Sequence, residues 1–291
     1  MMAALLVQAS LALPIRPPRP PALVSASWPP PGASNAHVWI DGLSAGPLGR
    51  PVDALLERQF RRGLSAELGH EVPQEGFAGV MQLCRELVQL RGADVSEASR
   101  RVLVNLFPNW PPGAPEGKRG LLYWFERLFA MPFPAFAFKL NAWVTWWAAQ
   151  WLMGPCSLKD LEAQDLHALR AAGEHLNAAR CGDGRGQQLL VHRCRFLEEA
   201  ACASVCVNVC KMPTQAFFND EMGVTMRMEP DYETLQCRFK FGIPPTFTDE
   251  MDSRNVACFP SCSNAQARLT SPERCHAMGG ANLFQDDKRS M

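Results

Sequence analysis

Apolar positions recur at three- and four-residue spacing from Gln74 to Leu90. Phe77, Val80, Met81, Cys84, Leu87 and Val88 fall on one side, and Arg91-Gly92 closes the run. That period predicts an amphipathic helix, with Cys84 as a small buried hydrophobe. A further helix is predicted from Ser96 to Phe107, with Ser96 as N-cap, Val102, Leu103 and Leu106 on one side and Pro108 ending it. A shorter one is predicted over Val52 to Arg62, and the Pro108 to Gly117 stretch, PNWPPGAPEG, reads as a loop.

Residues 121–153 are the most apolar part of the chain. The pattern predicts a helix around Leu121 to Met131, a break at Pro132 and Pro134, and a second helix to Met153, capped by Gly154-Pro155. On the second helix Leu140, Val144, Trp147 and Trp151 share one side, while Lys139, Trp143, Trp146 and Gln150 share another. Aromatic residues on both sides exceed what a two-layer core needs. The surplus fits a buried core helix, an apolar ligand groove or a membrane-resting face. A transmembrane span is excluded by the interrupting prolines and by Lys139, Asn141 and Gln150.

After Ser157, read as the cap of an Ala/Leu helix to about Arg180, Cys181 to Gly186 reads as a turn, with Cys181 unassigned. The pattern then switches to period two. In LLVHRCRF, Leu190, His192, Cys194 and Phe196 are expected to share a face; Leu235, Cys237, Phe239 and Phe241 alternate likewise before Gly242. Between these strands lies a cysteine-bearing helix, read as broken at Pro213. The expected fold class is α+β, a mainly helical N-terminal layer packed on a small antiparallel sheet with that helix. The expected division is 1–45 as transit peptide and Pro-rich tail, 50–156 as helical and aromatic-rich, 157–187 as a helical linker and 188–280 as a cysteine-rich domain.

Composition adds little on charge. With 29 basic and 29 acidic residues the formal net charge is zero, which argues for no nucleic-acid partner. Eight Trp and sixteen Phe against two Tyr point to apolar surfaces that need no hydroxyl partner. Arg16 and Arg19 precede the first acid, Asp41, in an Ala/Ser/Pro-rich start. That composition reads as an organelle transit peptide, with a secretory signal as the rival.

Eight of the eleven cysteines lie at Cys194, Cys202, Cys206, Cys210, Cys237, Cys258, Cys262 and Cys275. In a reducing organelle such a set favours metal or redox chemistry over disulfides. On an α-helix Cys202, Cys206 and Cys210 form a fan at i, i+4 and i+8. Cys202 and Cys210 are then roughly 12 Å apart along the axis, too far for one ion to take all three. A pair completed by Cys194, Cys237 or the C-terminal group is the alternative to a multinuclear cluster. Iron or an iron–sulfur cluster, structural zinc, and inert thiols or disulfides all remain open. His192 is a possible further ligand or a core residue. Asp220 and Glu221 are possible oxygen ligands or solvated groups.

The string RCRFLEEAACASVCVNVCKMPTQAFFNDEMG, followed by MEPDYETLQCRFKFG and NVACF, resembles the C-terminal domain of the plastid β-carotene isomerases of the Dwarf-twenty-seven type. The pattern C-x7-C-x3-C-x3-C-K-x-P-T-Q-x-F-F is the specific part. The resemblance implies an iron-dependent isomerase, with a non-haem or iron–sulfur centre, that interconverts all-trans- and 9-cis-β-carotene at the head of the strigolactone pathway. It implies a chloroplast location, and with the aromatic helix face above the protein is expected to be stromal or peripherally membrane-associated. The family cysteines fall on the eight just named, a subset of which is expected to bind metal; its Lys-x-Pro-Thr-Gln falls on Lys211, Pro213, Thr214 and Gln215. The chain is expected to depart from the family between Ser157 and Gly186, with helix replacing a strand pair. The substrate is a hydrocarbon without hydrogen-bonding handles, so apolar walls must hold it. Trp143, Trp147, Trp151 and Phe217 are the candidate contacts. The alternative reading is a non-catalytic carotenoid-binding or metal- or redox-sensing plastid protein with structural cysteines.

Overall fold

The apolar stripe from Phe77 to Val88 is buried on helix α2 (Gly76–Arg91), in a computed structural model that describes residues 49–91, 95–167 and 182–246 together with Val256 and Phe259. Helix α1 (Gly49–Leu68) runs further in both directions than its predicted Val52–Arg62, and Leu64 carries its buried side onward. Helix α3 (Val95–Asn105) buries Val95, Ala98, Ser99 and Val102, so Ser96 lies inside the first turn instead of capping it. Helices α1 and α3 approach closely at Gly63, where a Cβ would meet Val102 Cγ1 at 2.8 Å.

The Pro108 to Gly117 stretch is loop, and it folds back over the start of α4 (Gly120–Phe125). A Cβ on Gly120 would lie 2.1 Å from the Pro111 carbonyl oxygen and 3.0 Å from Trp110 backbone atoms. Backbone cannot swing aside as a side-chain tip can. Gly120→Ala is therefore expected to lower unfolding stability by roughly 1–3 kcal/mol, read from a urea transition.

Helix α4 continues into a π-helical turn, Glu126–Ala130, closed by the Met131 N–H donating to the Glu126 carbonyl at 2.8 Å. Pro132 follows, and Pro134 opens helix α5 (Pro134–Ala148), where its missing N–H costs nothing. Helix α6 (Gln150–Met153) ends at Gly154, whose φ of 88° suits glycine. The buried side of α5 is neither of the two sides read from the sequence. It is Ala137, Phe138, Asn141 and Ala142, and the Asn141 amide donates to the Ala137 carbonyl at 2.8 Å. Two alanines on that side leave the larger tryptophans to the flanks.

Four antiparallel strands follow in the order β1-β2-β4-β3: β1 (Cys156–Lys159), β2 (Gln188–Val191), β3 (Met226–Pro230) and β4 (Cys237–Phe241). Ser157 thus sits in strand β1, which pairs with β2, and caps no helix. Helix begins only at residue 163. Strand β2 stops at Val191 and buries Leu189 and Val191, the opposite phase to the Leu190/His192/Cys194/Phe196 face expected. Leu189 and Leu190 are adjacent, so alternation alone could not fix the phase. Pairing of Leu189 with Phe239 and Val191 with Cys237 does.

One sheet face carries Leu189, Val191, Met226, Met228, Cys237, Phe239 and Phe241, all buried against the helices in one continuous core. The other face is ionic. Lys240, 2% exposed, contacts Asp165 at 3.0 Å and Glu229 at 2.6 Å, while Arg227 contacts Glu229 at 2.6 Å. Residues 161–166 cover this face, with Leu161 packing on Ile243.

Two helical segments fill the space between β2 and β3. Helix α7 (Arg195–Ala200) ends at Ala201 in the left-handed region. A composite helix, α8, then joins a π-helical turn (Val205–Lys211), an α-helix (Met212–Ala216) and a second π-helical turn (Phe217–Glu221). The predicted break at Pro213 does not occur. Proline lies in the first turn of the α-helical part, where the change from π to α spacing accommodates its ring and absent donor. Among the described residues the fold is α+β, with helices on the apolar face of a small antiparallel sheet.

Candidate functional site

Cys194 is not on a strand. It is the N-cap of α7, its Sγ accepting from the Leu197 N–H at 3.4 Å while its own N–H donates to the Leu235 carbonyl at 2.7 Å. Leu235 holds φ at 61°, unusual for a branched side chain, at the end of a turn in which Asp231 Oδ1 accepts from Glu233 and Thr234. Cys206 and Cys210 stand on the first π-helical turn of α8, and Cys237 opens β4. A π-turn closes its hydrogen bonds at i→i+5, so four-residue spacing keeps two side chains nearly in line.

These four cysteines line one small cavity of about 10 Å³, closed otherwise by Met153, Phe196, Leu197, Met228, Pro230 and Phe239. The space is about that of one water-sized sphere. Cys202 lies just before α8, half-buried, and does not line it. The helical fan of three thiols is thus a pair on α8, with one thiol from a helix cap and one from a strand.

Burial dominates the electrostatics. It pushes the Cys194 thiol up to about 11, against the lowering effect of the Leu197 and Phe196 N–H groups. It raises Cys206, Cys210 and Cys237 further, each also raised by the neighbouring sulfurs. Lys211, itself buried, pulls Cys206 and Cys237 back down. At neutral pH the four thiols therefore hold their protons until a cation displaces them.

The Lys-x-Pro-Thr-Gln string has a separate task at each position. Lys211 brings positive charge to the thiols, and Pro213 sits where α8 changes pitch. The Thr214 hydroxyl hydrogen-bonds Cys210, and Gln215 Oε1 accepts from the Met228 N–H at 2.8 Å, tying α8 to β3. Two groups near the sulfurs escaped the sequence reading. Tyr232 is half-buried, but its hydroxyl oxygen is fully buried and reaches the Cys206 sulfur. Its signal was available: it is one of only two tyrosines and stands five residues before Cys237. Cys84 of α2 lies near enough to Cys210 to raise it, so that small hydrophobe also faces the sulfur cluster.

The other candidates lie elsewhere. Cys258, Cys262 and Cys275 fall outside the described residues, as do the N-terminal 45 residues and Cys181. His192, half-buried and lowered by burial and Lys159, does not line the cavity. Asp220 is exposed, but Glu221 is not the solvated group expected. It is buried and paired with Arg100 and, at 3.1 Å, Lys118, away from the sulfurs. Trp143 is exposed and Trp147 half-buried; Trp151 packs edge-on to Phe60 at 6.1 Å. Phe217 is a core residue, stacked on Phe107 at 5.2 Å. The structure does not gather these four around one cavity. A larger cavity of about 430 Å³ is lined by Arg100, Arg101, Lys118, Arg119, Glu97 and Glu221, the wrong chemistry for a hydrocarbon.

Soft sulfur donors in a dry cavity fit iron, an iron–sulfur group or zinc by donor chemistry. As placed, no group of three or more His, Cys, Asp or Glu among the described residues meets metal-holding geometry. Filling the site would need the four thiols to lose their protons and draw in.

Residues 151–250 match the family described as "Beta-carotene isomerase D27-like, C-terminal". The chain is similar to "Beta-carotene isomerase D27, chloroplastic" of Medicago truncatula, 30% identical over 122 residues, 41% of either chain. It is similar to the protein of the same name from Arabidopsis thaliana, 28% identical over 116 residues, 39% of this chain and 37% of that one. The chain thus spans about two fifths of the length of the curated relatives it matches. No solved structure matches it. The family match, residues 151–250, carries all four cavity cysteines.

Proposed function

We propose that this protein is a plastid carotenoid cis/trans isomerase that interconverts all-trans- and 9-cis-β-carotene, with iron or an iron–sulfur group held by cysteine. The supporting observation is the meeting of Cys194, Cys206, Cys210 and Cys237 from three separate elements at one dry cavity inside the family-matched region. Cys258, Cys262 and Cys275 are the further candidate ligands.

When bound, a thiolate-held iron group supplies one-electron chemistry that lowers the order of a polyene double bond. The protein's part is electrostatic and steric. Lys211 stabilises thiolate charge, Tyr232 and Thr214 reach two of the sulfurs, and the apolar lining keeps water away. Trp143 and Trp147, on the outer part of α5, are the proposed contacts for the hydrocarbon.

A second reading, structural or redox-sensing thiols without catalysis, rests on the burial of the four thiols, which raises each of them and keeps them protonated. The assay that separates the two is incubation of anaerobically purified protein with all-trans-β-carotene, with product isomers resolved by chromatography. Formation of the 9-cis isomer, abolished by chelation, is the expected outcome. Protein that is free of iron and inert toward the carotene would leave the second reading standing.

A further inference from the structure

The elbow between α4 and α5 is built against the usual rule for protein surfaces. Leu128, Phe129, Met131, Phe133 and Phe136 are 55, 42, 61, 60 and 52% exposed. The π-helical turn explains how this arises. One extra residue per turn rotates three consecutive side chains, Arg127 to Phe129, out of the core, and only Ala130 returns to it. Phe125, Phe129 and Phe136 hold one another, ring to ring, at 5.7 and 6.4 Å. Trp143, 39% exposed, extends the apolar side of α5 two turns beyond Phe136.

Charge decides what this surface is for. Arg127 sits within the run, its guanidinium over the Tyr123 ring at 5.4 Å, with no carboxylate partner among the described residues. Arg119, at the other end of α4, has the Asn105 amide oxygen as its partner and likewise no carboxylate. A second copy docked here would bury Arg127 without a counter-ion, at a cost that apolar contact would have to overcome. A lipid–water boundary takes both features at once. Phenylalanine, leucine and methionine enter the acyl edge, and arginine stays at the phosphate level. No described helix is long and apolar enough to cross a membrane, so the contact is interfacial.

We infer that the Leu128–Phe136 elbow inserts into the surface of an anionic lipid bilayer, with Arg127 against the lipid phosphates. The inference stands apart from the isomerase reading, since it concerns binding to lipid with no carotenoid present.

Flotation of the full chain with vesicles tests it, using phosphatidylcholine alone and phosphatidylcholine mixed with phosphatidylglycerol. Binding is expected to both, stronger to the mixed vesicles, and weakened there by salt. Phe129→Ser with Phe133→Ser is expected to reduce binding to either by at least about tenfold. Arg127→Glu is expected to reduce binding to the mixed vesicles alone. These side chains are exposed and pack only on one another and on Tyr123 at the surface, so far-ultraviolet dichroism should be unchanged and the thermal midpoint lowered by no more than a few degrees. Unaltered flotation of the double variant would overturn the inference, as would absence of flotation by the parent chain. Concentration-dependent dimers in the parent that the double variant abolishes, with no vesicle binding, would assign the elbow to a second copy instead.

Discussion

Cys206→Ser is expected to leave the chain folded but nearly free of iron when purified without oxygen, and to cut all-trans to 9-cis conversion at least about a hundredfold. Loss of a neighbour that merely orients a ligand costs ten- to a hundredfold, so loss of a ligand sits at or beyond that upper end. The companion variant is Cys202→Ser. Its thiol is half-buried outside the cavity, and iron content and conversion are expected to stay near those of the parent. Equal losses from both would mean that the four-thiol cavity is not the site. Loss of fold in Cys206→Ser alone, read by dichroism, would favour structural thiols.

Lys240→Ala is expected to lower unfolding stability by about 3–5 kcal/mol. Removing it leaves Asp165 and Glu229 facing each other, with Arg227 offsetting them at 3.6 Å from Asp165 and 2.6 Å from Glu229. Arg238→Ala, on the same face and strand but a third exposed, removes a contact to Glu162 at 3.3 Å and is expected to cost less than about 1 kcal/mol. Urea unfolding of both variants reads the difference. A Lys240→Ala loss no larger than that of Arg238→Ala would mean that water reaches the pair.

Much of this was legible in the sequence, and the failures have physical causes. The period of Phe77 to Val88 gave α2 because every apolar position on that side is buried. The β4 alternation gave the placement of Cys237 for the same reason. The buried side of helix α5 was not legible because apolar residues surround it. The core selects the small side chains Ala137 and Ala142, which carry little hydropathy contrast. Cys194 was misread as strand because a cap is a local hydrogen-bond geometry that leaves no periodic trace. The eight cysteines announced the site, yet spacing on an ideal α-helix could not foresee π-helical turns. Nor could it foresee that Tyr232, from a turn, would reach Cys206. The ionic face of the sheet was invisible because Asp165 and Lys240 are 75 residues apart.

That ionic face has a bearing on the sulfur site. Strand β4 is only five residues long, and Cys237 and Lys240 lie on its opposite faces. A slip of one residue would push Arg238 and Lys240 toward the thiols and strand Cys237 among carboxylates. Each misplaced charge would then lose its counter-ion. Asp165 and Glu229 thus act as a proofreader of strand alignment. Their pairing with Lys240 and Arg227 makes the offset alignment costly, so the same contacts that hold the ionic face also fix which side of the strand carries the sulfur.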